Sequence, residues 1–366
     1  MKRKNFSRRD FLKLAGASLG AMALRPFEST LPALQFPEAE RLGRVSVTPY
    51  FYSTEVKSTP NIYASTVATL PEDSVVEWLR VLVGSEGYSN SKRWVETPQG
   101  YIFLPHLQPV FNKPNTATPV LPEDKLGMWV EVTVPYVDLH SENATVSSPS
   151  FGYIMSLGQM PRLYYSQVVW IDQIKTDESG RVMYRFNEDL GHGYGYGDVF
   201  WADAAAFRPI SEEEVSPISP DVDPAQKKIV VNVTYQTLSC YEGEREIYFC
   251  RMSSGAGSFG TPVGPQYTWW KTFSIHMSAN TASDSGYDTP GVSWPTFING
   301  AGVAIHGVFW HNDFGTRRSH GCINVLPEDA KWIYRWTSPH VSLDQSEIKM
   351  QWPDVGTEVV VEERSF

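Results

Sequence analysis

Short apolar runs broken by turn residues dominate the chain from Val45 onward, and that punctuation reads as strands rather than helices. Val75-Val76-Glu77-Trp78-Leu79-Arg80-Val81-Leu82-Val83, followed by Gly84, Gly87, Pro98 and Gly100, predicts a small β-barrel over residues 45–112. A second run opens Met128-Trp129-Val130-Glu131-Val132-Thr133-Val134-Pro135-Tyr136, similar to Val45-Ser46-Val47-Thr48-Pro49-Tyr50. It predicts a second barrel over residues 125–210 and a divergent duplication. The acidic, proline-punctuated stretch 211–226 reads as a linker. Beyond it, Lys228–Thr234 predicts a strand, and Leu238–Cys240 with Ile247–Cys250 a hairpin turning near Glu242-Gly243. Gly302–Ile305 predicts a strand, Pro327 opens one helix with Glu328 and Asp329 in its first turn, and Glu358–Val361 closes the unit. The expected fold class is mainly β: two small N-terminal β-barrels, then a last unit over residues 227–362 with one short helix.

The N-terminus breaks this pattern. Lys2, Arg3 and Lys4 precede Ser7-Arg8-Arg9-Asp10-Phe11-Leu12-Lys13 and an apolar run from Leu14 to Leu24, which resembles a twin-arginine export signal. Residues 1–44 are therefore expected to be signal and linker, with Pro26, Pro32 and Pro37 in the linker part. The apolar run is shorter than the roughly 20 residues of a membrane-spanning helix. Cleavage after Ala23 and retention as an N-terminal membrane anchor both stay open. Either implies an extracytoplasmic protein, in the cell wall or associated with the membrane. Arg93-Trp94-Val95-Glu96-Thr97-Pro98-Gln99-Gly100-Tyr101-Ile102 resembles the closing hairpin of bacterial Src-homology-3-type barrels. Glycan or peptide binding and plain spacing are equal readings of such barrels.

Hydrophobic residues at 42% and charged residues at 20% fit a folded globular chain. The net charge of −10 opposes phosphate backbones, so no nucleic acid partner is expected. Three cysteines exclude a disulfide scaffold. Cys240 and Cys250 flank one hairpin and are open to a bridge or to two buried thiols. The glycine-rich stretch 191–197 lacks the strand and helix of a nucleotide loop, and reads as an aromatic loop.

Cys322 remains, in Ser319-His320-Gly321-Cys322-Ile323-Asn324. A thiol becomes a nucleophile as thiolate, so a base must lie within reach. His306, sixteen residues upstream at a strand end, is the candidate, with the Gly307 carbonyl as the group that orients its ring. The backbone N–H groups of Gly321 and Cys322 are candidate oxyanion donors, with His320 as their buttress or as a substrate contact. Arg318 reads as a partner for a substrate carboxylate, or equally as a surface charge.

Ile305-His306-Gly307, eleven further residues and then Ser319-His320-Gly321-Cys322-Ile323-Asn324 resemble the signature of L,D-transpeptidase catalytic domains of the YkuD type. The resemblance runs from Lys228 to Val361 and includes Trp310–Gly315 and Pro327–Ala330. It implies a β-sandwich-like catalytic domain with Cys322 as nucleophile, His306 as base and Gly307 as orienter. His320, Gly321 and Cys322 would form and support the oxyanion hole. Beside them, Ser319, Arg318 and Asn324 are the candidate substrate-binding residues. Asn324 matches one branch of the family, where others carry Arg. The implied reaction takes a peptidoglycan tetrapeptide stem as donor, releases terminal D-alanine, and passes the thioester-held acyl group to an amine on a neighbouring stem. No cofactor and no metal are implied. L,D-carboxypeptidase-type trimming and a non-catalytic cell-wall-binding protein are the alternatives. Zinc at His306, His311, His320 and Cys322 fits no paired-ligand spacing, and papain-like peptidases carry their cysteine before the histidine, the reverse of this order.

Overall fold

The computed structural model describes residues 36–364 except 48–51, 89–90, 144, 189–196, 280–285 and 352. The twin-arginine segment, and the glycine-rich stretch apart from Gly197, lie outside the described residues. Among those residues no helix is long and apolar enough to cross a membrane.

The first strand, Leu42–Val45, begins inside the segment expected to be linker, because Leu42 and Val45 are both fully buried. It pairs antiparallel with Val75–Glu77 on one side and Leu107–Val110 on the other. A five-stranded sheet stands beside it, in the order Thr66–Pro71, Ser53–Lys57, Gly100–Phe103, Arg93–Thr97, Arg80–Val83. Val45, Val56, Trp78, Val95, Ile102 and Leu107 fill the space between. The next region repeats part of this order. Its opening strand Met128–Val132 pairs with its closing strand Phe207–Pro209, and with Val168–Thr176, in a six-stranded sheet. In both regions a single 3-10 turn, Leu104–His106 or Ala204–Ala206, leads directly into the closing strand.

The stretch 211–226 is ordered rather than a loose tether. Ser211 and Glu214 form a capping box on the short helix Glu212–Val215. Val215 is buried, and Glu214 pairs with Arg208 and with Lys331 at 2.9 Å.

The C-terminal region holds two five-stranded sheets. One runs Arg245–Arg251, Thr237–Glu242, Lys227–Asn232, Glu358–Glu362, Gly264–Tyr267. The other runs Ile323–Val325, Ala304–Gly307, Thr296–Phe297, Trp270–Thr272, Glu347–Lys349. Each contains one parallel pair. The helix Pro327–Trp336 starts on proline, carries Glu328 and Asp329 in its first turn and Arg335 in its last, and buries Ala330, Ile333 and Tyr334 toward the sheets. Its last carbonyls are capped from the side. The fully buried Lys271 donates to the Tyr334, Thr337 and Pro339 carbonyls at 2.5, 2.9 and 2.7 Å.

The core does not stop at residue 227. Trp129 and Val168 join the same buried cluster as Ile229, Phe273, Trp294, Ile305 and Ile323. Trp129 stands edge-on to Phe273 at 5.6 Å and donates its indole N–H to Ser346 Oγ at 3.0 Å. Residues 36–366 accordingly form one compact unit. Replacing Trp129 by Ala should cost about 3–5 kcal/mol. Denaturant unfolding should show residues 128–210 and the C-terminal region losing structure in one transition, and two separated transitions would refute a shared core.

Candidate active site

Strand register places His306 and Cys322 toward the same side of one sheet. Ala304–Gly307 runs parallel to Ile323–Val325, with Ile305 opposite Ile323 and His306 opposite Asn324. Side chains alternate along a strand, so Ala304, His306, Cys322 and Asn324 share one face. Packing follows the same division. Ile305, Ile323 and Val325 point into the large core, while Ala304 and Cys322 join a separate cluster with Ile275, Met277 and Trp310.

His306 is 3% exposed, and its Nδ1 lies 3.1 Å from the Gly307 carbonyl. A carbonyl only accepts, so Nδ1 carries the proton and Nε2 keeps its lone pair. Burial holds the imidazole pKa down to about 4, with the Gly307 bond opposing in part. Glycine at 307 has a packing reason: a Cβ there would stand 2.9 Å from Pro327 Cα, where the helix begins.

Cys322 is partly accessible, and burial of its sulfur pushes the thiol pKa up to about 11, only partly opposed by a hydrogen bond from the Ala304 backbone. Its Sγ donates to the Gly302 carbonyl at 3.7 Å. Gly321 has φ +116°, a conformation that requires glycine. Its N–H, one of the two expected oxyanion donors, is already given to Ser319 Oγ at 3.1 Å. Cys240 and Cys250 are free and buried, offset on neighbouring strands with Leu238 opposite Cys250 and Cys240 opposite Tyr248.

Three residues expected to face substrate also bond to neighbours within the domain. Ser319 is buried, and its hydroxyl donates to the Cys322 carbonyl at 2.5 Å. Arg318 places Nε and Nη2 on Asp313 Oδ2 at 2.9 and 2.6 Å, and keeps about a third of its side chain exposed. Asn324 is buried, with Nδ2 at 3.0 Å from His311 Nε2 and Oδ1 without a partner. The Asp313 N–H donates to His311 Nδ1 at 3.3 Å, so the ring proton sits on Nε2, and the pair is satisfied with the amide oxygen and nitrogen exchanged. The physical reason is common to all three: polar groups of a tight loop pressed on a sheet must be satisfied internally. His320 is exposed, between the rings of Phe259 at 4.6 Å and Tyr287 at 5.2 Å. His306, His311, His320 and Cys322 thus serve separate neighbours, and among the described residues no group of three His, Cys, Asp or Glu is arranged to hold a metal.

Sequence reasoning missed Trp310, whose ring stands 5.9 Å from that of His306, and it missed His276. His276 lies on the hairpin of strands Ser274–Ala279 and Tyr287–Ser293 that brings Tyr287 to His320. Its Nδ1 is 2.5 Å from Glu188 and its Nε2 2.6 Å from Asp288, which also accepts from Ser148 Oγ and the Ser150 N–H at the helix Pro149–Ser156. Burial would keep the ring neutral, but the bonds to Asp288 and Glu188 outweigh it and raise the pKa to about 9. A raised imidazolium stabilises fully below its unfolded pKa near 6.5, and that contribution is lost as pH climbs through about 9. Amide-exchange protection of the hairpin strands should therefore fall between pH 7 and 10. His276→Gln should remove that pH dependence, and a hairpin equally protected at both ends of the range would refute the tie.

Residues 226–361 match the family model described as the L,D-transpeptidase catalytic domain. A Bacillus subtilis protein, YciB, whose name provisionally places it among L,D-transpeptidases, is 27% identical over 134 residues, 34% of this chain and 68% of that protein. L,D-transpeptidase 2 of Mycobacterium tuberculosis is 34% identical over 92 residues, 23% of this chain and 22% of that one. Among solved structures, an Enterococcus faecium L,D-transpeptidase bearing a cysteine-to-serine substitution is 24% identical, with 37% of this chain and 50% of that chain covered and a TM-score of 0.30. L,D-transpeptidase 3 of Mycobacterium tuberculosis, solved with a faropenem-derived adduct, is 17% identical, with 54% and 91% covered and a TM-score of 0.31. This chain thus spans half the length of the Enterococcus structure and about a fifth of the longer Mycobacterium relative. Its C-terminal region has the L,D-transpeptidase catalytic fold.

Proposed function

We propose that this chain is a cysteine acyltransferase, an L,D-transpeptidase that crosslinks peptidoglycan stem peptides through a thioester on Cys322. The observation that carries the reading is the shared strand face of Cys322 and His306, with Nδ1 of the histidine tied to the Gly307 carbonyl. His306 Nε2 takes the thiol proton as sulfur attacks the donor carbonyl that precedes terminal D-alanine. The imidazolium then gives that proton to the departing amine, leaving the thioester. An amine of a neighbouring stem attacks the thioester, His306 takes its proton, and the sulfur leaves and recovers it. Both groups start neutral, because burial raises one pKa and lowers the other, so the ion pair arises only as sulfur bonds to carbon. The Cys322 N–H is the remaining backbone candidate for the oxyanion. The exposed part of Arg318 is the candidate contact for a substrate carboxylate. No cofactor takes part.

Around this centre the chain is read as exported by the twin-arginine route and active outside the cytoplasm. Two Src-homology-3-like barrels precede the catalytic domain, a reading supported by the matching order of first strand, closing 3-10 turn and last strand.

Incubating the purified chain with a carbapenem should add one covalent mass, which Cys322→Ala abolishes. His306→Ala should slow acylation by about 10²-fold or more. With isolated disaccharide-tetrapeptide, the product should be a crosslinked dimer, and loss of D-alanine alone would replace transpeptidation by trimming. The pH profile follows from the buried base. His306 stays neutral down to about pH 4, so the acylation rate should run level through pH 6.5 and fall only toward 4. A descending limb centred near 6.5 would contradict the buried, Gly307-bound imidazole.

A further inference from the structure

The segment 308–313 joins the base strand to the cysteine loop, and each part of the centre leans on it. Gly307, just before it, supplies the carbonyl for His306 Nδ1. Trp310 packs near His306 and joins the apolar cluster around Cys322. His311 meets Asn324, and Asp313 holds Arg318. The segment has no regular secondary structure, so its backbone polar groups need partners from elsewhere.

Several of those partners lie two hundred or more residues away in sequence, outside the matched domain, while the Val308 N–H stays within it, on the Val325 carbonyl. Gln108 Nε2 donates to the Val308 carbonyl at 3.2 Å, and Arg44 Nη2 donates to the Phe309 carbonyl. The Asn312 N–H and Nδ2 donate to the Pro105 and Leu107 carbonyls at 3.4 and 2.8 Å. The Phe309 ring stacks on Tyr164 at 5.1 Å, and the same Tyr164 ring carries the Arg44 guanidinium at 4.1 Å. Arg44 and Gln108 are each 2% exposed, and Arg44 is held in turn by Asp73 at 2.7 Å.

We propose that Arg44 and Gln108 are positioning residues for acyl transfer, acting through the Val308 and Phe309 carbonyls to hold Gly307 and Trp310 against His306. The N-terminal sheets are then part of the catalytic scaffold and not a spacer. This rests on the reading of Cys322 and His306 as nucleophile and base. A docking contact with no bearing on chemistry would affect stability alone, and the two roles separate because Gln108 Oε1 is buried without a partner. Leucine at 108 removes that orphan as it creates another at the Val308 carbonyl, so its effect on folding is small.

The test uses the full chain and a carbapenem, resolving the initial binding constant from the first-order acylation step between pH 4 and 9, with melting temperature measured alongside. Gln108→Leu and Arg44→Lys should slow the acylation step about tenfold and leave the binding constant within about twofold. They should also move the acid limb upward from about 4 toward 6.5, because a loosened His306 regains water. Lys125→Ala, which breaks the exposed inter-region ion pair with Asp344, should behave as wild type. If Arg44→Lys fails to fold, Gln108→Leu carries the test. Folded variants that acylate at the wild-type rate overturn the proposal alone, as does a loss confined to melting temperature. A wild-type chain that forms no adduct overturns the reading of the centre, and the proposal with it.

Discussion

The parallel pairing of Ala304–Gly307 with Ile323–Val325 is the constraint from which the rest of the centre follows. A shift of one residue in that register would send Cys322 into the large core and bring Ile323 out, because side chains alternate across the sheet. The register is fixed from behind. Ile305, Ile323 and Val325 are fully buried on the far face, and Gly307 admits Pro327 to contact that any side chain would block. The placing of thiol and imidazole on one face is thus enforced by apolar packing opposite them. The bond of the imidazole to its neighbouring carbonyl and the long contact of the thiol with Gly302 are local and could not enforce it themselves.

The loop between these strands shows the price of seating a polar loop against a packed sheet. A buried polar group left unpaired costs about 1–3 kcal/mol, and this loop contains many. Ser319 answers the Gly321 N–H and the Cys322 carbonyl, Asp313 answers Arg318, and His311 answers Asn324. Such bracing leaves few side chains free to greet a substrate. The exposed groups beside the loop are His320, Phe259 and part of Arg318, with the half-buried Tyr287 coming from the hairpin that His276 fastens to Glu188.

What was legible in the sequence was local. The strands, the helix opening at Pro327 and the bond between His306 and the Gly307 carbonyl all depend on residues within a few positions of each other or on one sheet register. Even the Gly307 carbonyl could be named, since it adjoins the ring it holds. The internal partners of Ser319, Arg318 and Asn324 were not legible, because polar residues beside a candidate nucleophile read alike whether they face a ligand, a neighbouring turn or both. Only the identity of the partner decides, and Asp313 and His311 carried no mark of being those partners. His276 was invisible for a stronger reason. Its two carboxylates, Glu188 and Asp288, are brought to it by separate elements, one of them from the preceding region. The packing of the linker 211–226 was hidden for a similar reason: its acids and prolines mark a boundary, and do not show that Glu214 meets Lys331 and Val215 the core.

Division of the chain into barrels and a catalytic domain describes its topology better than its energetics. Sheets that would be independent modules should each close over their own apolar residues and meet through polar, wetted surfaces. Here Trp129 from the second region lies in the same core as Phe273 and Ile305, and Arg44 from the first is buried against the Phe309 carbonyl. A guanidinium buried at that junction is tolerable only because Asp73, itself shared with Arg162 of the second region, compensates its charge. Asp73 thereby links all three regions at a point where removing any one would leave an uncompensated charge or an unpaired carbonyl. The catalytic fold is recognisable by itself, but in this chain it is finished by its neighbours.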